Sequence, residues 1–263
     1  MKFAFLIDHG RERPLRMRRG GRRIILAALT AVLLAPTSFY AWRSCVAHNF
    51  GVLEPGRVYR SGQLPAAALS ATVRDRKIKT VLNLRGSNPD QAWYRAERRA
   101  ASTGGATLVD VAMSSCQWMS REQLRAVVRV LDTSEYPLLI HCQQGAERTG
   151  WVSAVATLLQ PGTTLDDAER QFSLGYLFVR IGDGKVMAEH LDRYEAWLAD
   201  HGWGHSPERF RRWVNEGFKP GHPSREDWPY DPYPLVVVTR PGENPVETLG
   251  VVGASAGVGG MKR

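Results

Sequence analysis

Cysteine is scarce in this 263-residue chain, which has only Cys45, Cys116 and Cys142. Three cysteines in a chain of this length exclude a disulfide framework, and none has the spacing of a zinc-ligand pair. Internal repeats are missing. The 43% apolar and 23% charged fractions exclude a disordered or fibrous polymer. Basic charge is scarcer than its total implies. Of the formal +9, residues 1–43 carry +7, from nine basic residues against Asp8 and Glu12, and the remainder carries +2. With so little basic excess in the rest of the chain, no nucleic-acid partner is expected.

The longest apolar run is IILAALTAVLLAPTSFYAW, residues 24–42, and it lacks a small-residue cleavage site. Its length approaches the roughly 20 residues that cross a bilayer. The run predicts an N-terminal transmembrane helix over residues 24–43, an anchor or uncleaved signal, preceded by a basic cytoplasmic segment over 1–23. Arginines before the run, with the single Arg43 after it, put the amino terminus in the cytoplasm, with Tyr40 and Trp42 at the far interface. The expected location is therefore a single-pass membrane protein whose folded domain is extracytoplasmic.

Downstream, β-like and helical patterns alternate. Strand-like runs lie at 57–63, 78–86, 106–113 and 137–142. Helical patterns cover 66–77, 89–104, 120–131, 149–160, 164–174, 184–200 and 206–217, with Ser120 and Gln123 at capping-box spacing. His190 falls on a helix face with Met187, Leu191 and Tyr194, a pattern of packing rather than ligation. The alternation predicts an α/β fold, a central mostly parallel sheet flanked by helices, over residues 50–218. Residues 219–263 form a Pro/Gly-rich C-terminal extension in which LVVVT is one candidate edge strand.

The stretch HCQQGAERTG, residues 141–150, joins the fully apolar strand PLLIHC to a helix. A buried strand ending in Cys142, a short turn containing Gly145, then Arg148 and Thr149 at a helix start, is suited to a tetrahedral dianion. Backbone N–H groups of the turn form a nest, and the helix dipole points its positive end at the same place. Arg148 grips two phosphoryl oxygens bidentately. The same field lowers the thiol pKa of Cys142 from about 8.5 toward about 3.5–7.5, making it a nucleophile at neutral pH.

This ten-residue stretch resembles the cysteine-x5-arginine signature of the protein tyrosine phosphatase superfamily, in its compact dual-specificity-like bacterial branch. RVYRSGQLP and VLNLRG add to the similarity, which covers roughly residues 50–200. The resemblance implies a dual-specificity phosphatase-like fold and a two-step reaction in which Cys142 forms a phosphocysteine that water hydrolyses. Arg148 would hold the phosphoryl oxygens beside the loop residues Gln143, Gln144, Gly145, Ala146 and Glu147. Thr149 would donate to the departing sulfur, and His141 would support the loop from behind. No metal and no organic cofactor is implied.

Two residues compete as the general acid. Family members place an aspartate about thirty residues before the cysteine, which corresponds to Asp110, although Asp110 sits in a strand-like run. Relatives with an acidic residue just before the arginine use that carboxylate, which here is Glu147. A phosphorylated protein, with phosphotyrosine first, is the expected substrate; an extracytoplasmic site would favour a phospholipid or other non-protein phosphate. Arg60 and Arg85 either touch substrate or brace the sheet, Trp118 and Met119 line the rim or pack, and Cys116 reads as a small buried residue or as a resolving thiol that protects Cys142. The competing readings are a rhodanese-like sulfurtransferase, a non-catalytic membrane-tethered phosphate-binding module, and a structural disulfide.

Overall fold

The computed structural model describes residues 19–221, 234–244 and 246–248. Its strands are β1 (Gly51–Glu54), β2 (Val58–Ser61), β3 (Thr80–Asn83), β4 (Thr107–Val111), β5 (Leu138–His141), β6 (Val236–Thr239) and β7 (Val246–Thr248). Its α-helices are α1 (Arg19–Ala41), α2 (Ala66–Arg76), α3 (Ala92–Thr103), α4 (Arg121–Thr133), α5 (Glu147–Leu158), α6 (Leu165–Glu169), α7 (Val186–Asp200) and α8 (Pro207–Arg212). Contacts divide the chain into two units, Met1–Ala41 and Trp42–Arg263.

The middles of the central strands are apolar because both faces are covered, and polar residues collect toward their carboxyl ends. Successive side chains point to opposite faces, so Val81, Leu108 and Leu139 meet Leu69 and Val73 of α2 and Tyr94 of α3. Their neighbours Leu82, Val109 and Ile140 face Val127 of α4, Trp151 and Val155 of α5, and Tyr194 of α7. Ile140 and Leu139 are both fully buried. Truncating either to alanine costs about 2–5 kcal/mol.

The sheet order is β1-β2-β5-β3-β4-β6-β7. Strands β2, β5, β3 and β4 are parallel, whereas β1, β6 and β7 pair antiparallel, so the sheet is mixed rather than mostly parallel. Two features account for that correction. The four-residue β1, whose sequence is GVLE, is too short for a periodic signal. The run LVVVT pairs Val236 with Val111 and Val238 with Val109, and β7 lies outside it, so it is not an edge strand. The C-terminal extension thus completes the sheet beside β4; residues 222–233 and 249–263 of that extension lie outside the described residues.

The transmembrane segment expected over 24–43 is not supported: among the described residues, no helix is long and apolar enough to cross a membrane. Helix α1 does form, but Pro36, Thr37 and Ser38 interrupt its apolar run. The basic segment 1–18, and the side chains of 19–27, lie outside the described residues. Two predicted helices are shorter than their patterns. The 164–174 run closes after Glu169, and 206–217 gives α8 followed by a π-type turn over Trp213–Gly217.

The helix positioned most firmly by its own sequence is α4. The Ser120 hydroxyl accepts from the Gln123 N–H, and the Gln123 side chain accepts from the Ser120 N–H, completing a capping box. The Gln123 amide also donates to Ala112 O at 2.9 Å, fixing the segment after β4. Ser120→Ala is expected to lower stability by about 1 kcal/mol in urea unfolding, with the slope of the transition unchanged.

Candidate active site

Strand β5 enters the sheet between β2 and β3, and at the carboxyl edge the register aligns Ser61, His141, Asn83 and Asp110 in one row. All four are buried polar residues. A crevice at the carboxyl ends of parallel strands is where open α/β sheets bind ligands. The loop from Cys142 to Ala146 leaves β5 there and runs into α5.

Two glycines let the backbone make this turn. Gly145 has φ +74°, and a Cβ on it would lie 2.6 Å from Gly62 N. A Cβ on Gly62 would in turn lie 3.1 Å from Gln143 O. The segment after β2 and the loop therefore touch backbone to backbone.

Each of three consecutive loop carbonyls is held from outside by a separate donor. Gln63 N–H donates to Gln143 O at 3.0 Å, Asn49 Nδ2 to Gln144 O at 3.0 Å, and Arg60 Nη2 to Gly145 O at 2.7 Å. In a trans peptide the N–H points opposite to the C=O. Holding these oxygens outward therefore turns the N–H groups of Gln144, Gly145 and Ala146 to the concave side, as an anion nest requires. The Gly145 N–H reaches Cys142 Sγ at 3.2 Å.

Cys142 is 1% exposed. Burial alone would push its thiol up; the Arg148 guanidinium, the hydroxyl and N–H of Thr149 and the Gly145 N–H outweigh burial and hold it below its ordinary value. These groups thus favour the thiolate over what burial alone would allow. Arg148 is oriented by a bond from Nη1 to Met113 O at 3.1 Å, while its Nε is buried without a partner among the described residues. Thr149 is fully buried, with its Oγ1 3.5 Å from Ser61 O.

Arg60 braces the loop and is buried on every side. Besides Gly145 O it donates to Gln171 O and Oε1, both at 2.9 Å, and it stacks 3.8 Å over the Tyr176 ring. Burial pushes its pKa down to about 10, so it keeps its charge at neutrality beside Cys142. Tyr176 also lies 5.4 Å from the guanidinium of Arg43, which donates to Gly175 O and Phe50 O. Asn49 Nδ2 bridges the same elements, bonding Tyr176 O as well as Gln144 O.

On the loop's other side, His141 Nε2 lies 3.2 Å from Glu97 Oε1, both side chains almost fully buried. The two groups form an ion pair when His141 carries its proton. Burial disfavours both charges, yet each is stabilised by the other: His141 is raised and Glu97 lowered from their ordinary values. Gln63 donates to Glu97 and accepts from Arg85 Nη1 at 2.9 Å, and Arg85 lies 3.5 Å over Trp93.

The two acid candidates lie in different surroundings. Asp110 is 1% exposed, with Oδ1 accepting from Asn83 at 2.7 Å and Oδ2 from the Tyr94 hydroxyl at 2.5 Å. Burial pushes its carboxyl up to about 7 against those two hydrogen bonds. Glu147 is the first residue of α5, half-buried, with its Cγ 3.1 Å from where a Cβ on Gly184 would stand. Gln143 and Gln144 are exposed, Gly145 and Ala146 buried.

Other expectations resolve by packing. Trp118 packs at a tilt against His190, ring centroids 4.4 Å apart, and Met119 accepts from Trp151 Nε1 at 3.0 Å, so both belong to the core. His190 is pushed down to about 3 by burial, which makes it a neutral packing residue. Cys116 is exposed, contrary to its reading as a small buried residue, because the loop after β4 turns outward there. All three cysteines are free, which removes the structural disulfide. Sequence reasoning missed Asn49, Gln63, Glu97 and Tyr176. These are common polar types with no periodic signal, joined only by the fold.

Two outcomes test this electrostatic scheme. Arg60→Met is expected to move the pH profile of Cys142 alkylation upward by about one unit and to lower kcat, with Arg60→Lys recovering part of both. Glu97→Gln is expected to destabilise the fold by about 1–3 kcal/mol between pH 4.5 and 6.5, read by urea unfolding at each pH. In that window Glu97 is above its unfolded pKa and His141 below its own, so both contributions are present. The difference should shrink as pH rises through the raised His141 value, and again as it falls through the lowered Glu97 value.

A sequence family described as DSP-PTPase phosphatase fused to NAD+ kinase matches residues 46–174. Among solved structures, the chain is similar to TpbA of P. aeruginosa at 21% identity over 56% of this chain and 84% of that one, TM-score 0.44. It is similar to the core catalytic domain of the PP-IP phosphatase SIW14 from S. cerevisiae, at 22% identity over 59% and 93%, TM-score 0.42. A phosphatase of Shewanella putrefaciens matches at 12% identity over 60% and 92%, TM-score 0.45. No curated protein matches the chain. With the cysteine-to-arginine loop inside the matched segment, residues 46–174 belong to the dual-specificity-like protein tyrosine phosphatase superfamily, and the chain is a phosphatase.

Proposed function

We propose that the chain hydrolyses phosphomonoesters through a phosphocysteine on Cys142. The thiolate attacks phosphorus, forming the S–P bond as the bond to the leaving oxygen breaks. Arg148 and the inward amides of residues 144–146 hold the phosphoryl oxygens as charge builds on them. Water then attacks the phosphocysteine, releasing inorganic phosphate and the thiolate, with Thr149 donating to the departing sulfur. The observation that carries this reading is the outward tethering of three successive carbonyls around a thiol of lowered pKa. A sulfurtransferase reading has no specific feature in its favour, and a purely binding module would not need the activated thiol.

We assign the general acid to Glu147. It opens α5, is partly accessible and adjoins Arg148, so its carboxyl can reach a leaving oxygen and afterwards take a proton from water. Asp110 has both oxygens engaged and is better matched to holding the turn after β3, since Asn83 also bonds Gly86 O at 3.1 Å and the Arg85 N–H at 2.9 Å. The loop itself carries no lysine, which makes a highly phosphorylated inositol a poor match. Phosphotyrosine fits the reading as an aryl phosphate, whose leaving group needs the least protonation.

Cys142→Ser should abolish turnover of p-nitrophenyl phosphate while leaving vanadate binding measurable; retained turnover would end the proposal. Glu147→Gln should lower kcat on an alkyl phosphate by about 10²–10³ and on the aryl phosphate far less. Asp110→Asn should change both substrates equally. The reverse pattern would transfer the acid role to Asp110.

A further inference from the structure

In the unit that begins at Trp42, the exposed large hydrophobic side chains among the described residues are Trp42, Val46, Val52, Leu174, Val179 and Ile181. Leu174 and Ile181 are the most open, at 71% and 72%. All six fall on two segments, 42–52 and 174–181, and these segments are bonded to each other. Arg43 Nε donates to Gly175 O at 2.8 Å, Asn49 Nδ2 to Tyr176 O at 2.8 Å, and Gly51 lies so close to the Tyr176 ring that a Cβ would be 2.6 Å from it. The same segments hold the catalytic loop through Asn49 and through the Tyr176 stack on Arg60. Among the described residues of this unit, the large exposed apolar side chains therefore fall on the two segments that hold the loop, the distribution of an interaction site rather than of scattered surface residues.

The occupant is indicated by what adjoins this lip in the chain. Immediately before Trp42, helix α1 exposes Leu29, Val32, Leu33, Leu34, Phe39 and Tyr40. Before those come the basic residues that give residues 1–43 their net +7. An apolar helix preceded by arginines, with aromatic residues at its end, suits the boundary of an anionic bilayer, where acyl chains take the apolar side chains and headgroups take the charge. A protein partner would explain the apolar lip but not the arginines.

We infer that the mouth of the active site is a lipid-facing surface, and that the phosphomonoester it receives is carried on a lipid in an anionic bilayer. This rests on the hydrolase reading above and narrows its substrate class. Leu174, Val179 and Ile181 would enter the interfacial zone beside the headgroup whose phosphate reaches Cys142, while the uncharged Gln143 and Gln144 face the surface without binding a second phosphate.

The test compares the full chain with its Leu174→Asp/Ile181→Asp variant on two probes with one headgroup: phosphatidic acid in phosphatidylcholine/phosphatidylglycerol vesicles, and water-soluble dihexanoyl phosphatidic acid. The variant should turn over the soluble probe within about twofold of the parent and the vesicle-borne probe at least about tenfold more slowly. An unchanged ratio of the two rates would overturn the inference. Hydrogen exchange on the unmodified chain decides the matter without a variant: vesicles should protect amides of residues 174–181. Protection confined to residues 1–42, or none, would count against a lipid-facing lip and leave a protein partner as its occupant. Should the parent fail to hydrolyse even p-nitrophenyl phosphate, the hydrolase reading falls, whereas vesicle-induced protection of 174–181 would still report the surface.

Discussion

The site depends on where three peptide oxygens point. A turn of five residues has no regular hydrogen bonding to fix its amides, and left to itself it would expose oxygens and nitrogens alike. Here a backbone N–H, a carboxamide and a guanidinium from three separate positions draw the oxygens of Gln143, Gln144 and Gly145 to the outside. The anion nest is the other side of that arrangement. An N–H fixed in advance stabilises negative charge without reorganising when the charge appears, which is why such groups contribute so much in a dry site.

Holding the turn requires buried charge, and the fold accommodates it in two ways. Arg60 stays charged because three acceptors and an aromatic face replace the water it has lost. His141 and Glu97 each favour the charged form of the other against the cost of burial. The first arrangement grips the loop from the β2 side and the second from the α3 side, and Gln63 joins them, donating its N–H to Gln143 O and its side-chain amide to Glu97. Asp110 occupies a third polar cluster, under the turn that carries Arg85.

The parts of this molecule legible in the sequence were those governed by periodicity or by a compact motif. The apolar runs of β3, β4 and β5, the capping box of α4 and the nucleophile-to-arginine turn each declare themselves within a dozen residues. The sheet's mixed character did not, since β1 is four residues long and β6 reaches β4 across more than a hundred residues of intervening chain. The second layer of the site was hidden for the same reason. Asn49, Glu97 and Tyr176 become neighbours only after the stretch before β1, α3 and the segment following α6 converge on one loop, and no local pattern encodes that convergence. Arg60 was visible as a residue of interest, but only burial and its Gly145 contact distinguish a brace from a substrate ligand.

The Tyr176 ring lies beside two guanidiniums, one from β2 and one from the stretch just after α1. The bracing of the turn therefore starts eight residues ahead of the first strand, at Arg43 rather than at Gly51. Severing the chain between Arg43 and Asn49 would leave every reacting group in place yet slacken the turn that aims them.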